Sequence, residues 1–275
     1  MCCTIDYPQQ SFVFTHLVAV LRARLDGMYK SNFLRVYPNG ATDKAWLKSR
    51  NLLSFICASR EPLPFPLVAH LLEWDNEQGL DFIKQTSISL LFPIKDGCFH
   101  VYHKTVVDWL RDKDRKARGE VFVITDEQVQ AAHVALGSAA LKLKLKTLSS
   151  GALPWGGVHS LLLYYDSTKT LGPELLYLIQ HGARHFVEAS SMATAELRER
   201  WILSREQALD LLSDFVIAET RIHLGQFTDI LLDLGDLGGK DPRAVALQNF
   251  FQNNRSLLIS HPHATLQQVR ALACG

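Results

Sequence analysis

The chain has little of what usually announces a chemistry. Its 275 residues hold five cysteines: Cys2, Cys3, Cys57, Cys98 and Cys274. No pair has zinc-knuckle spacing, and the odd, scattered set is no secreted disulfide framework. They read as reduced thiols of a cytoplasmic protein, with Cys2-Cys3 a candidate for palmitoylation. Long apolar runs are missing too. The most apolar stretch, Phe12 to Leu21, contains Thr15 and His16 and ends at Arg22-Ala-Arg24. A bilayer span needs about 20 apolar residues. The start lacks a basic region, and Asp6 interrupts it, so no targeting segment is visible. Charge of one sign is absent as well. Twenty-nine Lys and Arg against 28 Asp and Glu leave a formal net charge of +1, which gives no global argument for nucleic acid or an anionic membrane.

What is present is an ordinary globular balance, 47% hydrophobic and 21% charged. That is enough for real cores, in one large domain or two to three small ones. Apolar positions recur at helical spacing through Phe14, Leu17, Val18, Leu21 and Leu25. A second short helix is expected from Asp26 to Tyr37, ended by the turn Pro38-Asn39-Gly40. Asp43 can cap a helix reaching about Ser59, with Trp46, Leu53, Ile56 and Cys57 on its apolar face. Pro62, Pro64 and Pro66 end it and open another near Phe65. A third helix is expected over about Glu77 to Ser89.

The period then changes. Leu91 to Ile94 and Cys98 to His103 are short apolar or alternating runs flanking Lys95-Asp96-Gly97. Asp-Gly between two such runs predicts a β-hairpin, because glycine supplies positive φ. A helix follows from Lys104 with Val107, Trp109 and Leu110. Arg111 to Gly119, dense in charge, reads as a solvated connection.

Beyond that the pattern is helical. Thr125 to Gln128 has capping-box form, as does Ser204 to Gln207. Val129, Ala132, Leu136, Ala140 and Leu143 share one face. Leu148 to Gly157 breaks the pattern, and Pro173 opens a helix with Leu176, Ile179, Ala183 and Phe186. Asp233 to Gly239 reads as a loop. Asp241-Pro242 starts a last helix running to about Ile259, stopped at His261-Pro262-His263. The expected fold is mainly α: short lid helices, a winged-helix domain with a small β-hairpin, then a helical bundle or short α-solenoid. The expected divisions are 1–44, 45–118 and 119–275.

Sites of chemistry are hard to find. The nearest approach to a phosphate loop, Gly235 to Asp241, has Leu234 where the first glycine belongs and Asp241 where Ser or Thr would bind magnesium. His100 and His103 fall on opposite faces of the predicted strand. His181 and His185 could share a helical face but lack a third ligand at a telling spacing, and read as surface or half-buried. His261 and His263 flank a proline. No metal site and no Gly-x-Ser-x-Gly elbow is therefore expected. The third helix of the winged-helix outline carries Glu73, Asp75, Glu77 and Asp81 against Lys84 alone, which suits DNA poorly. Lys142, Lys144 and Lys146 lie on no single helical face.

One segment stands apart: Phe99-His-Val-Tyr-His-Lys-Thr-Val-Val-Asp-Trp-Leu110. It resembles the winged-helix signature of NACHT-type STAND P-loop NTPases, in which an aromatic strand ends in histidine and Ser or Thr, an acid, an aromatic and leucine follow. The matching residues are Tyr102, His103, Thr105, Asp108, Trp109 and Leu110. Leu52 to Pro64 resembles the first winged-helix segment of TANC-like members, and Leu25-Asp-Gly-Met-Tyr29 is similar to the segment closing their lid. The match covers about residues 11 to 110; the NTPase core is absent, and the ends suggest truncation on both sides.

The resemblance implies a non-enzymatic regulatory and protein-interaction module of the cytoplasm. In it residues 1–44 are a lid remnant and His103 is the nucleotide-state sensor. ADP or ATP would be held by an intact homologue's NTPase core, not by this chain alone. Protein partners are expected, and neither a membrane span nor nucleic acid is. A winged-helix nucleic-acid-binding protein is the alternative.

Overall fold

A computed structural model gives the fold; it describes residues 8–86, 88–150, 172–192, 198–239 and 241–261. Cys2, Cys3, Cys274 and His263 lie outside the described residues, as does most of the expected break from Leu148 to Gly157. The fold is mainly α with one small antiparallel sheet.

Helix α1 runs unbroken over Pro8–Val36, where two helices were expected. Gly27 does not stop it: glycine in a helix interior costs about 1 kcal/mol against alanine but removes no hydrogen bond. Asp43 caps α2 (Lys44–Ala58) by accepting the Ala45 N–H at 2.9 Å, and Trp46, Leu53, Ile56 and Cys57 are buried as their spacing requires. The prolines then turn the chain into β1 (Leu63–Pro64) and α3 (Phe65–Leu71). Asp75 caps α4 (Asn76–Gln85), which ends earlier than its apolar pattern suggests and is followed by α5 (Ile88–Leu91).

The hairpin β2 (Ile94–Lys95) and β3 (Cys98–Phe99) turns at Asp96 and Gly97. Both take positive φ, 51° and 74°, the primed turn whose twist matches paired strands. Sheet order is β1-β3-β2, with Phe99 opposite both Leu63 and Ile94. Helix, strand, two helices, hairpin, with the first strand beside the last, is winged-helix connectivity. The wing strand stops at Phe99, four residues before the expected His103, because His103 is already the N-cap of α6 (Lys104–Leu110).

The charged stretch after α6 is a larger correction. It forms α7 (Lys113–Ala117), and Arg115 within it is 1% exposed. Its guanidinium carbon lies 3.6 Å from the centre of a Trp109 ring. Its Nη1 donates to the carbonyls of Trp109 (2.9 Å) and Phe122 (3.2 Å). Its remaining nitrogens pair with Asp26 at 3.2 Å and Glu120 at 3.0 Å. Tyr29 and Phe33 pack against Trp109, and Phe33 carries the cluster on to Tyr37, Trp46 and Phe122 in tilted and edge-on contacts. Charge density predicts solvent exposure on average, but a run of charges can hide one residue whose charge is met from other elements, here by Asp26 of α1.

The capping box of α8 (Asp126–Ser150) is reciprocal: Thr125 N–H donates to Gln128 Oε1 at 2.9 Å and Gln128 N–H to Thr125 Oγ1 at 3.3 Å. Helix α9 (Pro173–Ser191) packs most closely on α8 and on α10 (Arg198–Leu212). Gly182 meets Ala140, whose Cβ would stand 2.3 Å from a Cβ added at the glycine, and Gly137 lies against the Phe186 ring. Ser204 is buried inside α10, so the second capping box does not start a helix.

Helices α11 (Phe215–His223) and α12 (Phe227–Gly238) follow. The expected loop at Asp233 to Gly239 is thus largely helix. Ile230, Leu234 and Leu237 repeat at helical spacing and are buried, and Asp233 joins them because Arg221 neutralises it. The last helical stretch breaks at Asn254 into α13 (Pro242–Asn253) and α14 (Arg255–Ser260).

Arg115→Ala is expected to destabilise the protein by about 3 kcal/mol in chemical denaturation, because it strips a buried charge network of its cation. Arg115→Lys should recover less than half of that, since an ammonium cannot reproduce the planar fork. A loss under about 1 kcal/mol for Arg115→Ala would show that the network is dispensable.

Candidate functional site

The residues singled out by sequence separate into two groups. Thr105, Trp109 and Leu110 fasten α6 in place. Trp109 donates its Nε1–H to Asp26 Oδ1 at 2.7 Å, and Leu110 is fully buried. Thr105 Oγ1 lies 2.7 Å from the Tyr29 hydroxyl. The segments Leu25 to Tyr29 and Phe99 to Leu110, far apart in sequence, are therefore joined by hydrogen bonds. Tyr102, His103 and Asp108 are left exposed, Tyr102 at 77%.

His103 is exposed but held. Its Nδ1 accepts the Thr105 backbone N–H at 3.3 Å, capping α6, and the Thr105 hydroxyl sits 2.8 Å from the same nitrogen. Only one order of donors satisfies these contacts. The Tyr29 hydroxyl donates to Thr105, and the Thr105 hydroxyl donates to His103 Nδ1. An Nδ1 that accepts carries no proton, so the neutral ring holds its proton on Nε2. Among the described residues Nε2 has no protein partner.

Beside this loop lies a cleft of about 1220 Å³. Arg60, Lys104 and Asp108 line it on the winged-helix side; α9, α11 and α12 line the other. A chain of ion pairs crosses it. Arg60 meets Glu188 Oε1 at 2.6 Å, and Arg184 donates to the same oxygen at 2.7 Å. Arg184 reaches on to Asp233 at 3.4 Å and to Asp236. Arg221 Nη2 donates to Asp233 Oδ2 at 2.9 Å. Burial works to raise the Glu188 carboxyl, but the hydrogen bonds and charge of Arg184, with Arg60, outweigh it and hold it below its ordinary value. At Asp233 burial wins over Arg221 and Arg184, and the carboxyl is raised.

Behind the cleft is a histidine cluster. His133 Nδ1 and His185 Nδ1 are 2.9 Å apart, and the Tyr177 hydroxyl is 3.0 Å from His185 Nε2. The expectation that His185 is at most half-buried is wrong: it is 2% exposed, because it faces α8 where the small residues of both helices let them close. Burial lowers His133 and His181 to about 4 and puts His185 well below the usual range. Among the described residues no group of three or more His, Cys, Asp or Glu could hold a metal ion. No described helix is long and apolar enough to cross a membrane.

Sequence reasoning missed the ion chain. Arg60 and Glu188 are 128 positions apart, and no local pattern pairs them. No known protein family, no curated protein and no solved structure matches this chain.

The histidine cluster sets a pH dependence. Its histidines are depressed in the folded state, so between their unfolded value near 6.5 and about 4 the unfolded chain binds more protons. Their stabilisation is complete above pH 6.5 and is lost as pH falls toward 4, at up to about 1.4 kcal/mol per pH unit for each histidine. Unfolding free energies measured from pH 7.5 to 4, against His133→Gln, check this: the variant should show a shallower slope. Equal slopes would contradict the assignment.

Proposed function

We propose that the chain is a non-enzymatic regulatory and protein-interaction module, the winged-helix and helical arm of a STAND-type switch, with His103 as its sensor of nucleotide state. One observation carries this reading: the Tyr29–Thr105–His103 relay, which fixes an exposed imidazole with its Nε2–H unpaired. Such a group donates a hydrogen bond to an anionic phosphate oxygen, and more strongly once protonated. The phosphate would be that of ADP or ATP held on an NTPase core in an intact homologue. A contact made in one domain arrangement and broken in the other biases a two-state equilibrium. The exposed Tyr102 and Leu90, 77% and 67% accessible, offer apolar surface to such a core or to another protein partner. The cytoplasm, where nucleotide is abundant and thiols stay reduced, is the compartment this role requires.

The alternative, a nucleic-acid-binding winged helix, finds little support in α4, where Glu77 and Asp81 stand exposed beside Lys84. Calorimetric titration of the isolated chain with ADP and ATP is expected to show nothing tighter than about 1 mM, with no hydrolysis. Hydrolysis that vanishes in His103→Ala would overturn the reading. So would duplex DNA binding at low salt with a salt slope of several phosphates.

A further inference from the structure

The corner where α11 meets α12 has hydrogen-bonding capacity that the described residues leave unused. Arg221 is 2% exposed. Its Nη2 serves Asp233, while its Nε and Nη1 have no partner. Gln226, the N-cap of α12, makes no side-chain capping bond, and its buried Oε1 also lacks a partner. Arg221, Gln226 and the first-turn residue Asp229 all line the cleft. A buried group without a partner is destabilising, so a ligand that completes several such groups at once is favoured.

The unused groups are of two kinds. Arg221 and the uncapped N-terminus of α12 present donors and positive potential, which suit an anionic oxygen. Gln226 Oε1 and the Asp229 carboxylate present acceptors, which suit a cationic donor. A simple oxyanion answers the first pair and meets Asp229 unfavourably; a simple amine answers the second and meets Arg221. A molecule carrying carboxylate and ammonium on neighbouring atoms answers both. Gln226 and His181 also border a second cavity of about 330 Å³, walled by Pro62, Pro64, Leu176 and Tyr177 together with the polar Glu61 and Gln180, with ample room for an apolar side chain against the prolines.

We propose that this corner binds a free α-amino acid with an apolar side chain. The carboxylate lies against Arg221 and the start of α12, the ammonium against Gln226 Oε1 and Asp229, and the side chain in the proline-walled cavity. The site is independent of His103, so it stands or falls apart from the switch reading.

The test is calorimetry and thermal unfolding of the whole chain with L-leucine and L-phenylalanine, beside 4-methylpentanoate and 3-methylbutylamine, each of which lacks one charged group of leucine. At least one amino acid should bind saturably and raise Tm, with both half-ligands about 10-fold weaker or more. Gln226→Met, which keeps the length and removes the acceptor, should weaken the amino acid about 10-fold and 4-methylpentanoate less than about 2-fold. Arg221→Lys, which keeps a charge for Asp233, should weaken both. No binding of either amino acid at about 10 mM overturns the proposal, as does 4-methylpentanoate binding as tightly as leucine.

Discussion

The Arg115 guanidinium lies flat over Trp109, its Nη1 on two backbone carbonyls and its other nitrogens on Asp26 and Glu120. A buried cation is costly unless its partners complete it, and these come to α7 from α1, from α6 and from the segment that follows α7. The four therefore settle together. Asp26 also accepts the Trp109 indole N–H, so the indole is gripped on its face and its edge. That fixes the rotation of α6 about its axis. Thr105, one turn earlier, is thereby turned toward Tyr29, and His103 toward Thr105. The posture of an exposed histidine is in this way decided by an arginine in the core.

Across the cleft the same physics is spread over a chain of charges rather than concentrated on one. Arg60, Glu188, Arg184, Asp233 and Arg221 alternate in sign, and each carboxylate serves two arginines. The link from Arg60 to Glu188 joins the winged-helix segment to α9 at a half-exposed position, where an ion pair is worth little by itself. The link from Arg221 to Asp233 is buried. The chain thus runs from an exposed contact to a buried one, where burial offsets the attraction but loss of either partner would strand the other.

Much of this fold could be read from residue pattern. Asp43, Thr125 and Asp241 cap helices because their short side chains reach backbone N–H groups, and Asp96-Gly97 makes the wing turn because both residues tolerate positive φ. The failures share a cause. By polarity Arg115 reads as solvated, His185 as surface or half-buried and Asp233 as loop, and each is buried because a partner from another element meets it. Tertiary pairing overrides the local rule, and the pairing itself is not written in any one window of sequence. The candidate site was half legible. The motif around His103 could be picked out, but not the bond to Tyr29 that orients it.

The central claim is that His103 is held as an acceptor at Nδ1 and offers Nε2–H to whatever approaches. Long-range proton–nitrogen NMR of the imidazole at neutral pH, with resonances assigned by their loss in His103→Gln, measures this directly. The Nε2–H tautomer should dominate, with the Nδ1 shift of a hydrogen-bonded acceptor. A dominant Nδ1–H tautomer, or an even mixture of the two, would contradict the relay and the sensing role built on it.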